Sequence, residues 1–312
     1  KKKITRKLYP IEEFTKFINK NKNLRDQFNN LIKKRKNILS NKKYLSNSKK
    51  YLIFGILNMT PDSFSDGGEN TLLDKAFENA LGMAESGADF IDIGGESTRP
   101  GAEVVEEADE CMRVLPIIQL LASKNIKLSL DTRNASTMKL GIMNGVKVIN
   151  DVSALKNNNG SIDVLKEFDL PLVLMHMPGN PKTMMKKNKY SDVSLDVYDF
   201  LEKRVKFCES NGLRKENIII DPGIGFGKNL EQNVYLLKNL SMFHGLGCPI
   251  MLGVSRKRFI SGINREDNSR KRLGGTISAT LVGLQQGIQI HRVHDVRQIN
   301  QSIKVFEKIN DS

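Results

Sequence analysis

From Tyr51 onward, short apolar runs rich in β-branched residues alternate with amphipathic stretches. Eight such runs fall at 51–57, 89–94, 127–130, 147–150, 171–177, 217–221, 249–254 and 288–293. Each has the length of a buried strand. Between them, stretches such as 73–87, 106–122, 134–144, 194–211, 230–240 and 270–286 repeat apolar residues at helical spacing. Parallel strands need a crossover to pair again, and a helix supplies it, so this alternation predicts a parallel sheet. Eight units in about 250 residues match a (β/α)8 barrel. The competing arrangement is an open, doubly wound sheet, but no Gly-x-Gly-x-x-Gly follows the first run.

Ahead of the barrel, Leu8, Ile11, Phe14, Phe17 and Ile18 recur at helical spacing, as do Leu24, Phe28, Leu31 and Ile32. They predict one or two helices within a 1–50 extension, with 33–50 a polar linker before the 51–312 domain. Charge separates the same two parts. Residues 1–50 hold 17 Lys/Arg against 3 Asp/Glu, whereas 51–312 hold 32 of each. The chain's net charge of +14 is therefore that of the extension. A solvated basic segment is expected there. Aromatics suited to base stacking are few and no nucleic-acid motif accompanies them, so neither a nucleic-acid nor a membrane partner is expected.

The 39% apolar and 27% charged content is that of a globular chain. No apolar run approaches the ~20 residues of a membrane span, and no secretory leader pattern follows Lys1-Lys2-Lys3. Cys111, Cys208 and Cys248 are too far apart for a metal knuckle and odd in number, which points to a reducing cytoplasm.

The strand ends carry the chemistry. They read Asn58, then Glu96 to Arg99, Asp131, Asn150-Asp151, His176, Asp221, Ser255-Arg256-Lys257, and finally Arg292 with His294. In a barrel all of these would converge on the C-terminal rim. A lone buried Asp is as readily a helix cap or an ion-pair partner as a functional group. Asp131 and Asp221 together with Asn150 instead offer acceptors and one amide to a heterocycle edge bearing NH and NH2, with Lys257 a donor to a carbonyl or ring nitrogen. Arg292 and His294 are two apart on an extended run and point the same way, a pair suited to phosphate oxygens. The bland alternative makes His294 the cap of a helix starting near Asp295. His291 faces the other side, so His291-x-x-His294 is not metal spacing. Two turn-rich loops, 58–68 and 94–101, could act as lids. Gly223-Ile224-Gly225-Phe226-Gly227-Lys228 has the wrong spacing for a Walker loop.

At these residues the sequence resembles dihydropteroate synthase, over essentially all of 51–312. The matching segments are the two loops, Ser129-Leu130-Asp131-Thr132, Asn150-Asp151, Met175-His176-Met177, Asp221 to Lys228, Ser255-Arg256-Lys257 and Arg292 to Val296. The resemblance implies condensation of 7,8-dihydropterin-6-ylmethyl diphosphate with 4-aminobenzoate, releasing pyrophosphate, in a sulfonamide-sensitive, usually homodimeric transferase. It implies a pterin pocket at Asp131, Asn150, Asp221 and Lys257, and a Mg2+ ligand at Asn58. It implies a diphosphate pair at Arg292 and His294, with Val293 between them and Thr98 also touching substrate. Phe64, Asp66, Arg99, Pro100 and Phe226 would close over the diphosphate and 4-aminobenzoate. Asp66, Asp131, Lys257, Arg292 and His294 are the expected catalytic set. Arg258 departs from the family, in which many members carry Ser. Some members are fused behind a pterin pyrophosphokinase, and the 1–50 extension is compatible with that. Methyltetrahydrofolate-binding domains of corrinoid methyltransferases share the barrel, but they have no use for diphosphate ligands. A non-catalytic pterin-binding paralogue should have lost loop residues that are present here.

Overall fold

The eight apolar runs form eight parallel strands in the computed structural model, which describes residue 7 and residues 9–33, 51–60 and 69–310. They are β1 (Leu52–Asn58), β2 (Phe90–Gly94), β3 (Leu128–Asp131), β4 (Val148–Asp151), β5 (Leu172–Met175), β6 (Ile218–Asp221), β7 (Met251–Leu252) and β8 (Ile290–Val293). Their order is β6-β5-β4-β3-β2-β1-β8-β7. A bridge between Ile220 and Ile250 joins the two ends, so the sheet closes into a barrel.

Alternation along each strand builds two cores. Leu52, Phe54, Phe90, Val148, Val173, Ile219, Met251 and Ile290 point inward and fill the barrel. The Phe54 and Phe90 rings stack there, 4.7 Å between centroids. Their neighbours Ile53, Ile91, Leu128, Leu130, Ile149, Leu172, Leu174, Ile218, Ile220 and Leu252 point outward, into the layer beneath the helices. One residue of register would exchange the two sets, which is why strands buried on both faces read as unbroken apolar runs.

The helices outside are α3 (Glu69–Glu85), α4 (Glu107–Ser123), α5 (Ala135–Met143), α6 (Ser161–Phe168), α7 (Val193–Ser210), α8 (Leu230–Lys238), α9 (Arg258–Asn264), α10 (Leu273–Gln285) and α11 (Val296–Asn310). The start of α8 is fixed by a reciprocal cap: Asn229 Oδ1 accepts from Gln232 N and Gln232 Oε1 from Asn229 N, both at 2.8 Å. That cap also ends the β6–α8 loop at a set point.

In the extension, α2 (Lys22–Ile32) lies against the barrel and α1 (Ile11–Ile18) packs on α2. Asn30 donates to the Gly245 carbonyl at 3.0 Å and Gln27 to Glu202 of α7 at 3.0 Å. Ile18 is buried, and Phe14 meets Phe28 edge-on at 5.4 Å. The predicted linker falls almost wholly outside the described residues, as do Leu8 and the predicted lid residues Phe64 and Asp66.

Candidate active site

Above the inner apolar layer, the same inward alternation delivers polar groups. Asp131 of β3, Asn150 of β4, Asp221 of β6 and Arg292 of β8 all enter the barrel mouth, and the first three are almost fully buried. Arg292 Nη2 donates to Asp131 Oδ2 at 2.8 Å. Its Nε donates to Asp92 Oδ2 at 2.5 Å. Asp92, on β2, was not among the sequence candidates, and it is fully buried. Asn150 Nδ2 donates to the same Asp92 oxygen at 3.1 Å. Three carboxylates, an amide and a guanidinium thus form one interior cluster.

Burial pushes the Asp131 carboxyl upward, Asp92, Glu110 and Asp151 add to that, and Arg292 opposes it. Burial also raises Asp221, against Lys257, the Gly223 N–H, Lys228 and Arg292. Burial disfavours the Arg292 charge, but Asp92 and Asp131 outweigh it and raise its pKa.

Lys257 follows β7 and leans over the β6–α8 loop. Its ammonium donates to the Ile224 carbonyl and lies 4.4 Å from the Phe226 ring centroid. A Cβ placed on Gly253 would sit 3.8 Å from Lys257 Nζ and 3.9 Å from Asp221 Oδ2, so both groups border one space. Burial lowers the Lys257 pKa to about 8, with Asp221 raising and Arg292 lowering it. Phe226 packs with Val152, Met175, Met177 and Met184 into an apolar wall beside these polar groups, a pocket composition suited to a flat heterocycle.

The loop carrying Phe226 is held from below. Lys228 is buried, and its ammonium donates to the carbonyls of Gly223 at 2.8 Å and Phe226 at 3.0 Å and contacts His176 Nδ1 at 3.0 Å. All three donors of a lysine are used. His176 therefore does not share the mouth, contrary to the sequence expectation. Met175 takes the inward position, so the next residue faces out, where it meets Phe200 edge-on at 4.8 Å. Burial and the Lys228 charge both lower the His176 pKa. Asp151 likewise turns away from Asn150 and accepts from the Ser153 and Leu155 N–H groups at 2.7 and 2.9 Å.

His294 sits at the end of β8 with Nδ1 2.9 Å from Ser255 Oγ, which also accepts the His294 backbone N–H at 3.1 Å. Burial and the charges of Arg256, Arg292, Arg99 and Lys257 lower its pKa to about 3. Of these cations Arg256 is itself paired with Asp295, its Nε 3.0 Å from Oδ2. Val293 is a correction: it points outward into the strand–helix core and is fully buried, so it does not line the mouth. His291 is also buried on that outer face, where a Cβ on Gly283 of α10 would lie 3.8 Å from its ring. Arg258 begins α9 as an exposed side chain.

The second loop carries Thr98, Arg99 and Pro100. Its base is tied by Glu96, which pairs with Arg133 through contacts of 2.6 and 2.8 Å and accepts the Val105 N–H at 3.1 Å. The loop also reaches across to the segment after β5, where Gly101 N–H donates to the Pro181 carbonyl at 3.1 Å. Asn58 ends β1 at the same mouth. A Cβ on Gly94 would lie 3.8 Å from both Asn58 Oδ1 and Asp131 Oδ2. Two oxygens facing one space are donors that a hard cation such as Mg2+ accepts.

A family model described as pterin binding enzyme matches residues 54–294. The dihydropteroate synthase of Escherichia coli K12 is 40% identical over 256 residues, covering 82% of this chain and 90% of the relative. That of Bacillus subtilis is 41% identical over 257 residues, covering 82% and 87%. Among solved structures, Yersinia pestis dihydropteroate synthase in a sulfonamide drug complex superposes with a TM-score of 0.79 at 38% identity, over 84% of this chain and 95% of that one. The Xanthomonas albilineans enzyme in complex with 7,8-dihydropteroate gives 0.77 at 37% identity, over 84% and 94%. With the family model spanning most of the barrel and relatives of this identity matched over most of their length, the chain belongs to the dihydropteroate synthase family of pterin-binding enzymes.

Proposed function

We propose that the protein condenses 7,8-dihydropterin-6-ylmethyl diphosphate with 4-aminobenzoate, giving 7,8-dihydropteroate and pyrophosphate. The observation that carries this reading is the convergence of Asp131, Asn150, Asp221, Lys257 and Arg292 on one barrel mouth. Asp221, Asn150 and Lys257 match the donor and acceptor edge of a pterin, and the Phe226–Met175 wall matches its faces. Arg292 and His294, with Arg99 close enough to lower the His294 pKa and Thr98 next to Arg99 in sequence, match a diphosphate.

The bond from the methylene carbon to the diphosphate oxygen breaks first, and the electron pair leaves with the diphosphate. The remaining cation is conjugated to the dihydropterin and lies beside the carboxylates of Asp131 and Asp221. The unprotonated arylamine then adds to the methylene and loses its proton to solvent. The family resemblance assigns Asp66 and Phe64, which lie outside the described residues, to this step. Asn58 would hold Mg2+, and the ion would offset charge on the leaving group.

We also propose that the protein works as a homodimer in a reducing cytoplasm. Leu230, Val234 and Tyr235 of α8 with Ile263 of α9 line an apolar surface depression, and Val234 and Ile263 are exposed. A second copy covering that face would remove it from water. Cys111, Cys208 and Cys248 form no disulfide. Because the family match begins at residue 54, the basic extension lies ahead of it, and an upstream pterin pyrophosphokinase remains the proposal for what precedes. An intact mass equal to this chain alone would refute that.

The deciding assay is pyrophosphate release. Release from the dihydropterin diphosphate should require both 4-aminobenzoate and Mg2+, and a sulfonamide should compete with 4-aminobenzoate. Absence of release, or release indifferent to the arylamine, would overturn the reading. Sedimentation as a monomer, unchanged by Val234→Asp, would overturn the dimer.

A further inference from the structure

We propose that Asp92 is a positioning residue that aims Arg292 at the diphosphate and turns the Asn150 amide so that its carbonyl oxygen faces the pterin. The proposal rests on the function proposed above and names a role for a residue that cannot itself reach substrate. Asp92 is fully buried in the barrel interior, one layer beneath the mouth. It acts through the two groups that touch its Oδ2, Arg292 Nε at 2.5 Å and Asn150 Nδ2 at 3.1 Å.

The donor count shows what this achieves. A guanidinium has five N–H groups in a rigid fork. In Arg292 the Nε–H goes to Asp92 and one Nη2–H goes to Asp131 at 2.8 Å, which leaves three for an incoming anion. The two carboxylates differ in access. Asp131 stands at the mouth, where a pterin competes for it, whereas Asp92 is sealed. When the pterin takes Asp131, Asp92 is the anchor that remains. Without it the guanidinium would turn toward Asp131 and occupy the acceptor that the pterin needs. Asp92 thus keeps the two subsites apart.

The amide of Asn150 is fixed by the same oxygen. A carboxylate only accepts, so the NH2 end of Asn150 must face Asp92 and the C=O end must face away. Replacing Asp92 by asparagine puts a second amide there, and both orientations of Asn150 become satisfiable. The other Asp92 oxygen has no hydrogen-bond partner among the described residues, so nothing else in the barrel claims this side chain.

The test compares wild type with Asp92→Asn by titration calorimetry and steady-state kinetics. Inorganic pyrophosphate with Mg2+ probes the Arg292 subsite, and 6-hydroxymethyl-7,8-dihydropterin probes the pterin subsite. Pyrophosphate affinity and kcat should each fall about tenfold or more, and dihydropterin affinity should fall too, while KM for 4-aminobenzoate stays within about twofold. A role confined to stability would lower Tm and leave those ratios alone. Pyrophosphate affinity and kcat within about threefold of wild type would overturn the proposal. If Asp92→Asn does not fold, Arg292→Lys decides. Lysine keeps the charge but has no Nε–H to anchor, so it should lose as much pyrophosphate affinity as Arg292→Ala. Retention within about threefold of wild type would refute the anchoring role. Failure of the wild type to release pyrophosphate would sink the proposed reaction, yet the pyrophosphate titrations would still read the anchoring.

Discussion

Replacing Lys257 with methionine keeps most of the side chain's reach and removes its charge. The ammonium has three N–H groups, and one is committed to the Ile224 carbonyl. Two are left for Asp221 and a bound pterin. A hydrogen bond from a charged donor contributes about 1.5–3 kcal/mol, so losing one to the ligand should weaken dihydropterin binding roughly 10–150-fold. The pH dependence gives a second reading of the same group. Burial lowers the Lys257 pKa to about 8, so the charged donor is present below that pH and is lost as the pH rises through it. Calorimetry with 6-hydroxymethyl-7,8-dihydropterin should show level affinity on the acid side and a fall approaching about tenfold per pH unit above the lysine's pKa. Lys257→Met should bind weakly throughout and lack that limb. Titration of the ligand itself is common to both proteins and cancels in their ratio. Binding by the variant within about threefold of wild type near neutral pH, or an alkaline limb that survives in it, would show that Lys257 is not the donor.

Gly223 has a φ of 68°, and a Cβ there would come within 2.0 Å of the His176 carbonyl oxygen. Gly223→Ala should therefore cost at least about 2 kcal/mol and lower Tm by several degrees, and an unchanged melting curve would refute the close approach. Glu96→Gln breaks a buried pair in which the side chains are 5% and 8% exposed, leaving the Arg133 charge unmatched. A loss of about 3–5 kcal/mol in urea unfolding is expected, with a raised KM for the diphosphate substrate as the loop of Thr98 and Arg99 loosens. A urea midpoint equal to wild type would contradict it. Chelation should abolish turnover and added Mg2+ restore it, and Asn58→Ala should raise the Mg2+ needed for half-maximal rate by roughly tenfold. An unaltered Mg2+ dependence in the variant would remove Asn58 from the metal site.

The barrel was legible because its strands are buried on both faces and its helices on one, and these two patterns differ in period. The site was legible where a polar residue closed an apolar run, as at Asp131 and Asp221. Asp92 was missed because it sits inside Phe90-Ile91-Asp92-Ile93 and does not close the run. The signal was present all the same: between two outward isoleucines the aspartate has to face in. The same rule separates Asn150 from Asp151 and Met175 from His176. In each pair one residue lines the mouth and its neighbour serves the loop outside, as it also moves Val293 away from the mouth. Lys228 carried no local signal, since its role depends on three acceptors from two different strand ends. The mutual pairing of Glu96 and Arg133 was hidden for the same reason, being a contact across 37 positions.

The charges at the mouth are not spread evenly, and the proposed reaction explains why. Asp131 and Asp221 border the space where a pterin would lie, while Arg292, Arg99 and Arg256 lie around His294. Breaking the carbon–oxygen bond creates a cation on the pterin side and adds charge to the diphosphate on the other. A site already divided into acid and base halves offsets both without rearranging at the moment of bond cleavage. Such a division is costly in the free protein, because buried carboxylates and cations in separate groups repel their own kind. Burial is the larger cost, and it raises the pKa of Asp131 and Asp221 and lowers that of Lys257 and His294; like charges add to it at Asp131, Lys257 and His294. Arg292 is the point where the halves touch, held by Asp131 on one side and Asp92 on the other. Its double attachment lets one ligand be polarised at both ends while the residues that do so remain apart.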